Sequence, residues 1–198
     1  KTAAFCIPIL ELLMKSSRGS LLIMIPTREL AKQVLDVISS LIGYKSSINT
    51  ATLIGGESMS KQLSQLKKRP RIYVGTPGRI NDHLQRGTLN LHDAKYLVLD
   101  ETDRMLDMGF EVQINKIIKF LPVNRQVLMF SATIPNNILK LSSKYLNKPI
   151  RISVGESNIV AKNIKQEIIE LKSDEKLDQL IQQIDNRNGS ILIFVKTK

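Results

Sequence analysis

Tyr96-Leu97-Val98-Leu99-Asp100-Glu101-Thr102-Asp103 is the stretch that decides the fold. Four aliphatic or aromatic residues in an unbroken run suit a strand buried on both faces. The three carboxylates behind it then stand at the strand's C-terminal tip, the edge where α/β sheets bind ligands. One carboxylate in such a place is able to hold Mg²⁺ through its water shell, and a neighbour to take a proton from a water attacking a nucleotide γ-phosphate. An acidic helix start, favoured by capping and by the helix dipole, accounts for the same residues.

Outward from this block, short aliphatic or β-branched runs alternate with stretches of helical period. Strands are expected at 21–25, 50–54, 71–75, 96–100, 126–131 and 150–154, and helices at 2–15, 28–42, 58–67, 78–86, 111–120 and 136–146. This alternation predicts an α/β domain, a mostly parallel sheet with helices on both faces. Past residue 154 the apolar rhythm stops, and 155–163 reads as a linker. A strand at 164–171, a helix at 174–184, a turn at 186–189 and a strand at 190–197 are expected beyond it. Two strands bury too little of a sheet to stand alone, so this unit reads as the opening of a second domain.

The formal net charge is +11, from 29 Lys and Arg against 18 Asp and Glu. Residues 1–153 hold 22 basic and 11 acidic side chains, whereas residues 154–198 hold seven of each. The excess belongs to the first unit and suits a polyanionic partner. No single basic amphipathic helix concentrates it, which argues against a membrane surface. The longest apolar strand-like runs, 21–25 and 191–195, are far too short to cross a bilayer, and no signal-peptide pattern is present, so a cytoplasmic protein is expected. Cys6 has no partner for an internal disulfide, and with His83 and His92 it makes no cluster of metal-ligand spacing. It reads as a small buried apolar residue.

Three more strand-to-helix junctions carry hydrogen-bond donors. Pro26-Thr27-Arg28-Glu29-Leu30 follows the first strand, and Thr27 either caps the next helix or stands with Arg28 at the ligand edge. Gly55-Gly56 follows the second strand, either as a plain turn or as main chain that a nucleic-acid phosphate approaches closely. Thr76-Pro77-Gly78-Arg79 follows the third, offering a hydroxyl, helix-start N–H groups and a guanidinium. Glu29 is the one acidic residue among them. Ser131-Ala132-Thr133 ends the fifth apolar run and fits a Ser/Thr turn before a helix.

In this order the motifs resemble the DEAD-box family of ATP-dependent RNA helicases over nearly the whole chain. Lys1-Thr2, with Ala3-Ala4-Phe5 behind it, resembles the last two residues of that family's Gly-Lys-Thr phosphate loop. The acidic block continues as Arg104-Met105-Leu106-Asp107-Met108-Gly109-Phe110, and Ile193-Phe194-Val195-Lys196-Thr197 resembles the first motif of the family's second domain. The resemblance implies a RecA-like P-loop NTPase domain that uses ATP and Mg²⁺. It implies that Lys1 reaches the β- and γ-phosphates, and that Thr2 and Asp100 hold Mg²⁺, the latter through water. Glu101 would be the general base, Asp103 would hydrogen-bond the next motif, and Ser131 and Thr133 would couple hydrolysis to strand separation. Pro26, Thr27, Arg28, Gly55, Gly56, Thr76, Pro77, Gly78 and Arg79 would meet the sugar-phosphate backbone of single-stranded or duplex RNA. Thr102 departs from the family's usual Ala. Asp107 reads as a solvated helix residue.

A chain that opens on Lys1 rather than Met is expected to be a piece of a longer protein. Residues 1–154 are expected to be the ATP-binding, first RecA-like domain without the strand and Gly-rich loop before Lys1. Residues 155–163 are expected to be the linker, and 164–198 the truncated start of the second RecA-like domain. The expected function of the parent is ATP-dependent RNA duplex unwinding or remodelling of RNA–protein particles, with such proteins as possible partners and no membrane. The isolated piece is expected to be inactive, and the strand ending in Ser131 to lack its inner neighbour. The alternatives are an inactive RNA-binding module and a DNA-directed superfamily 2 helicase.

Overall fold

The computed structural model describes residues 1–43, 47–154, 164–165, 167–172 and 174–195. Among them five strands form one sheet: β1 (Ser20–Met24), β2 (Thr50–Leu53), β3 (Ile72–Gly75), β4 (Ala94–Leu99) and β5 (Gln126–Met129). Their order is β2-β3-β1-β4-β5, and every neighbouring pair is parallel. The helices are α1 (Thr2–Lys15), α2 (Arg28–Ile42), α3 (Met59–Lys67), α4 (Pro77–Gln85), α5 (Thr102–Asp107), α6 (Glu111–Ile118), α7 (Asn136–Tyr145) and α8 (Lys176–Asp185).

The two-residue period of the strands sorts the core into two layers. Leu21 and Ile23 of β1 and Val98 of β4 point into one cluster with Phe5, Ile9 and Leu13 of α1 and Val34 and Ile38 of α2. Leu22 and Met24 of β1 and Leu97 and Leu99 of β4 point into the other, with Ile80 of α4, Met105 of α5, Ile114 of α6 and Leu141 of α7. Helices therefore cover both faces, and β1, buried at all five positions, is the middle of the sheet. Burying each such Leu or Ile is worth roughly 1.5–3 kcal/mol, which is why the unbroken apolar runs become the inner strands. Among the described residues β5 pairs only with β4, so its outer edge is open.

Parallel register brings every β-to-α junction to one edge. Leu99 of β4 lies level with Met24 of β1 and Met129 of β5, and Met24 lies level with Gly75 of β3. The junctions after all five strands open there, Thr27 and Ser58 capping α2 and α3 through bonds to Leu30 N–H and Lys61 N–H, each 3.4 Å.

Three expected strands are corrected. Residues 150–154, 190–195 and the described part of 164–171 are not strands. Their apolar residues have no ladder neighbour among the described residues, and Ile150, Ile152 and Val154 are more than four-fifths exposed. Lys196, Thr197 and the whole expected linker at 155–163 lie outside the described residues. The helix expected at 174–184 is α8, and α5 is an addition to the expected set, with Asp107 exposed on it. The chain divides into two compact units, Lys1–Gly155 and Glu156–Lys198; the first carries the whole sheet, and α8 in the second buries no residue.

Candidate nucleotide and nucleic-acid interface

The backbone leaves β4 through a strained turn. Asp100 N–H still bonds to Met24 O at 3.0 Å, as a further rung of the sheet, and then Glu101 adopts the left-handed region at φ 49° and ψ 51°. A non-glycine residue there costs on the order of 1–3 kcal/mol. The turn separates the two carboxylates. Asp100 stays at 8% exposure and accepts Glu101 N–H at 2.9 Å, while the Glu101 side chain is 35% exposed and meets Arg104 Nη1 at 3.4 Å. Glu101 makes no side-chain capping bond, so helix capping does not account for it.

Burial pushes the Asp100 carboxyl above its usual range, opposed by the Glu101 N–H and by the nearby charge of Lys1. Asp100 also helps burial raise the Cys6 thiol to about 11, so Cys6 stays a protonated, inert core residue. Lys1 and Thr2, at the start of α1, thus lie by the tip of β4. A buried carboxylate with one backbone donor and a lysine beside it fits a cation-phosphate pair. Among the described residues no group of three or more Asp, Glu, His or Cys is placed to hold a metal ion by itself.

Asp103 faces the other way. Its Oδ2 accepts Ala132 N–H at 3.1 Å, Thr133 N–H at 2.9 Å and the Thr133 hydroxyl at 2.9 Å. Burial pushes its carboxyl up, but these bonds and that from Arg104 N–H hold it below the usual carboxylate range. Ser131 donates to Thr133 O at 2.6 Å, closing the turn on itself. Thr102, fully buried, lies between the two strands, its hydroxyl 3.2 Å from Leu99 O and 3.1 Å from Phe130 O. The acidic tip of β4 is thereby tied to the end of β5 on both sides of the helix start.

The other three junctions meet in one cleft of about 570 Å³ that takes in Pro26, Thr27, Arg28, Gly55, Thr76, Gly78 and Arg79. Arg28 is exposed, has no hydrogen bond or ion pair among the described residues, and lies over the glycines. Gly56 sits at φ +74°, a region that favours glycine, and a Cβ there would come within 1.9 Å of Arg28 Nη1 and push the guanidinium aside. A Cβ at Gly78 would meet nothing within 4 Å, and Thr76 spends no side-chain bond on capping α4. Arg79 is more committed, with Nη1 3.4 Å from Glu57 O and Nε 3.8 Å from Asp82. Pro77 fills the first turn of α4 and is buried.

Glu29, Asp82, Met108 and Phe110 complete the cleft, and the last three were not expected there. Asp82 is hidden from sequence reading because its charge is answered locally by Arg86 at 2.6 Å. Met108 and Phe110 reach the cleft only because Gly109, at φ +76°, turns the chain between α5 and α6.

Comparison with known proteins places this geometry. The chain is 42% identical over its whole length to the ATP-dependent RNA helicase DbpA of Bacillus subtilis, spanning 42% of that protein. It is equally similar to the probable ATP-dependent RNA helicase MJ0669 of Methanocaldococcus jannaschii, spanning 52% of it. The crystal structure of a DEAD box protein from the hyperthermophile Methanococcus jannaschii superposes on 93% of this chain and 49% of its own, with a TM-score of 0.71 at 41% identity. The chain therefore spans about half the length of the relatives it matches. The family model for DEAD/DEAH box helicases matches residues 1–141, which takes in the acidic tip, the donor cleft and the turn that Asp103 holds. The chain belongs to the DEAD/DEAH box helicase family.

Proposed function

We propose that this chain serves an ATP-dependent RNA helicase, acting in the cytoplasm, as most of its ATP-binding domain, residues 1–154, with 155–163 as linker and 164–198 as the start of a second RecA-like domain. The observation that carries the reading is the joint edge: the acidic tip beside Lys1 and the donor cleft open from the same sheet edge. Asp103 and Thr102 tie the tip to the end of β5, its neighbour on the side away from the cleft. The names of the relatives support the same activity.

Lys1 and Thr2 would hold the ATP phosphates, and Thr2 and Asp100 would hold Mg²⁺. When bound, the ion offsets phosphate charge. Glu101, exposed by its left-handed turn, orients the attacking water and takes its proton. Asp103, Ser131 and Thr133 carry the change at the phosphate toward the RNA edge. Pro26, Thr27, Arg28, Gly55, Gly56, Thr76, Pro77, Gly78 and Arg79 meet the RNA sugar-phosphate backbone, with Arg28 the uncommitted cation among them. Such contacts position a strand without reading its bases.

Glu101→Gln in the full-length protein tests the assignment. ATP binding should persist while RNA-stimulated hydrolysis falls by about 10²–10⁴-fold, the worth of a positioned base. Normal turnover in that variant would remove Glu101 from the chemistry. RNA binding with no hydrolysis in the unaltered protein would favour an inactive RNA-binding module, and equal stimulation by DNA a DNA-directed helicase.

A further inference from the structure

Behind the donor cleft lies a polar relay in an otherwise apolar layer. Gln62 of α3 and His83 of α4 are both fully buried, and His83 Nε2 is 3.1 Å from Gln62 Oε1. Gln62 Nε2 in turn donates to Ile54 O at 2.9 Å and to Glu57 O at 3.3 Å, the two carbonyls that bracket Gly55-Gly56. His83 Nδ1 is 2.8 Å from Thr88 Oγ1.

The bonding pattern fixes the chemistry. Two carbonyls can only accept, so the amide nitrogen of Gln62 must face them and its oxygen must face His83. His83 Nε2 then carries the proton, and its bare Nδ1, at 2.8 Å, shares the single proton of the Thr88 hydroxyl with His83 O at 3.1 Å. Burial holds His83 below its usual range, so this neutral tautomer persists. Glu57 O also accepts from Arg79 Nη1 at 3.4 Å, so one carbonyl joins the relay to the start of α4. The Glu57 carboxylate is held from outside by Lys32 at 3.5 Å and Lys61 at 3.7 Å. The two-glycine loop, which has no side chain of its own to hold it, is thus pinned from below by Gln62, and Gln62 is oriented by His83.

We propose that His83 and Gln62 are positioning residues for RNA: they set the height and angle of the Gly55-Gly56 main chain against Arg28 and the start of α4, and so the affinity of the cleft for a phosphate backbone. The proposal rests on the RNA reading of that cleft. It goes beyond that reading by assigning RNA affinity to two buried side chains that touch no ligand.

The test uses the full-length protein with a labelled single-stranded RNA and ATP as probes. His83→Leu and Gln62→Met each leave a buried polar group unpaired or the loop unpinned, and each should weaken RNA binding about tenfold. The RNA concentration for half-maximal ATPase should rise by the same factor, while ATP affinity without RNA and kcat at saturating RNA hold within about twofold. His83→Gln, whose amide N–H can meet Gln62 Oε1, should restore RNA affinity. Unchanged RNA affinity in both His83→Leu and Gln62→Met overturns the proposal. So does a parallel loss of RNA and ATP binding that His83→Gln leaves uncorrected, since that is plain core damage. If His83→Leu does not fold, Gln62→Met decides alone. Arg28→Ala separates the two readings. If it weakens RNA binding and the buried variants do not, only this proposal fails; if it too is silent, the RNA reading fails and the proposal with it.

Discussion

Asp103 collects three hydrogen bonds on one oxygen, two from main-chain N–H groups and one from the Thr133 hydroxyl. Its folded pKa lies below the ordinary aspartate value of 3.8. The sign follows from linkage: the stability Asp103 contributes is fully present above the unfolded value and is lost as pH falls through the lower folded one. Asp103→Asn should therefore lower stability near neutral pH by about 1–2 kcal/mol, the modest end for a charged acceptor because the site is reached by solvent. The difference between the two proteins should shrink toward zero in acid, below the folded pKa. Chemical unfolding followed by far-UV circular dichroism at a series of pH values checks it, and a gap that persists at the acid end would mean lost packing rather than lost charge. Asp103 could be placed from sequence only through resemblance, because nothing local says that Thr133, thirty residues on, donates to it. Gln62 and His83 were less legible still. An isolated Gln or His on a helix carries no pattern, and their roles arise only when α3 and α4 pack side by side.

At the level of elements, α1 is the support for the proposed nucleotide edge. Phe5 is fully buried and its ring centre lies 5.3 Å from that of Phe130, tilted by 50°, so the first turn of α1 seats on the end of β5. Lys1 and Thr2 are carried by that turn. Phe5→Ala should cost about 3–5 kcal/mol, a large part of a typical domain stability of about 5–15 kcal/mol. A urea titration should show the midpoint fall, and ATP affinity should fall more than RNA affinity because the cleft is built on other helices. An equal loss in both would place the damage in the whole sheet. The bounds of α1 and α2 were legible in full, since fourteen and fifteen residues give several turns of apolar period. The six residues of α5 give less than two turns, and the left-handed Glu101 that starts it leaves no trace in periodicity. Residues 150–154 show the opposite failure. Ile-Arg-Ile-Ser-Val has the alternation of a strand, but alternation describes a surface that would pair, and pairing needs a free neighbour in register.

Across the whole molecule, charge and cleft make separable claims about RNA. A net charge of +11 draws any polyanion, whereas the cleft claims that particular guanidiniums meet phosphates. Removing two charges anywhere weakens the general field equally, so the two claims part when the position of the lost charges is varied. Arg28→Ala with Arg79→Ala should weaken single-stranded RNA binding and flatten the plot of log affinity against log salt by about 1.4, at roughly 0.7 per lost phosphate contact. Lys67→Ala with Lys68→Ala, at the exposed far end of α3, removes the same charge and should leave that slope nearly unchanged. Arg28→Ala alone should give about 0.7 of that change, the other half falling to Arg79 once it leaves Glu57 O and Asp82 for a phosphate. Affinities for homopolymers of different bases should fall together, because phosphates carry no sequence information. Equal slopes in the two double variants would leave only the general field, and a shifted base preference would mean that the cleft reads base edges rather than the backbone.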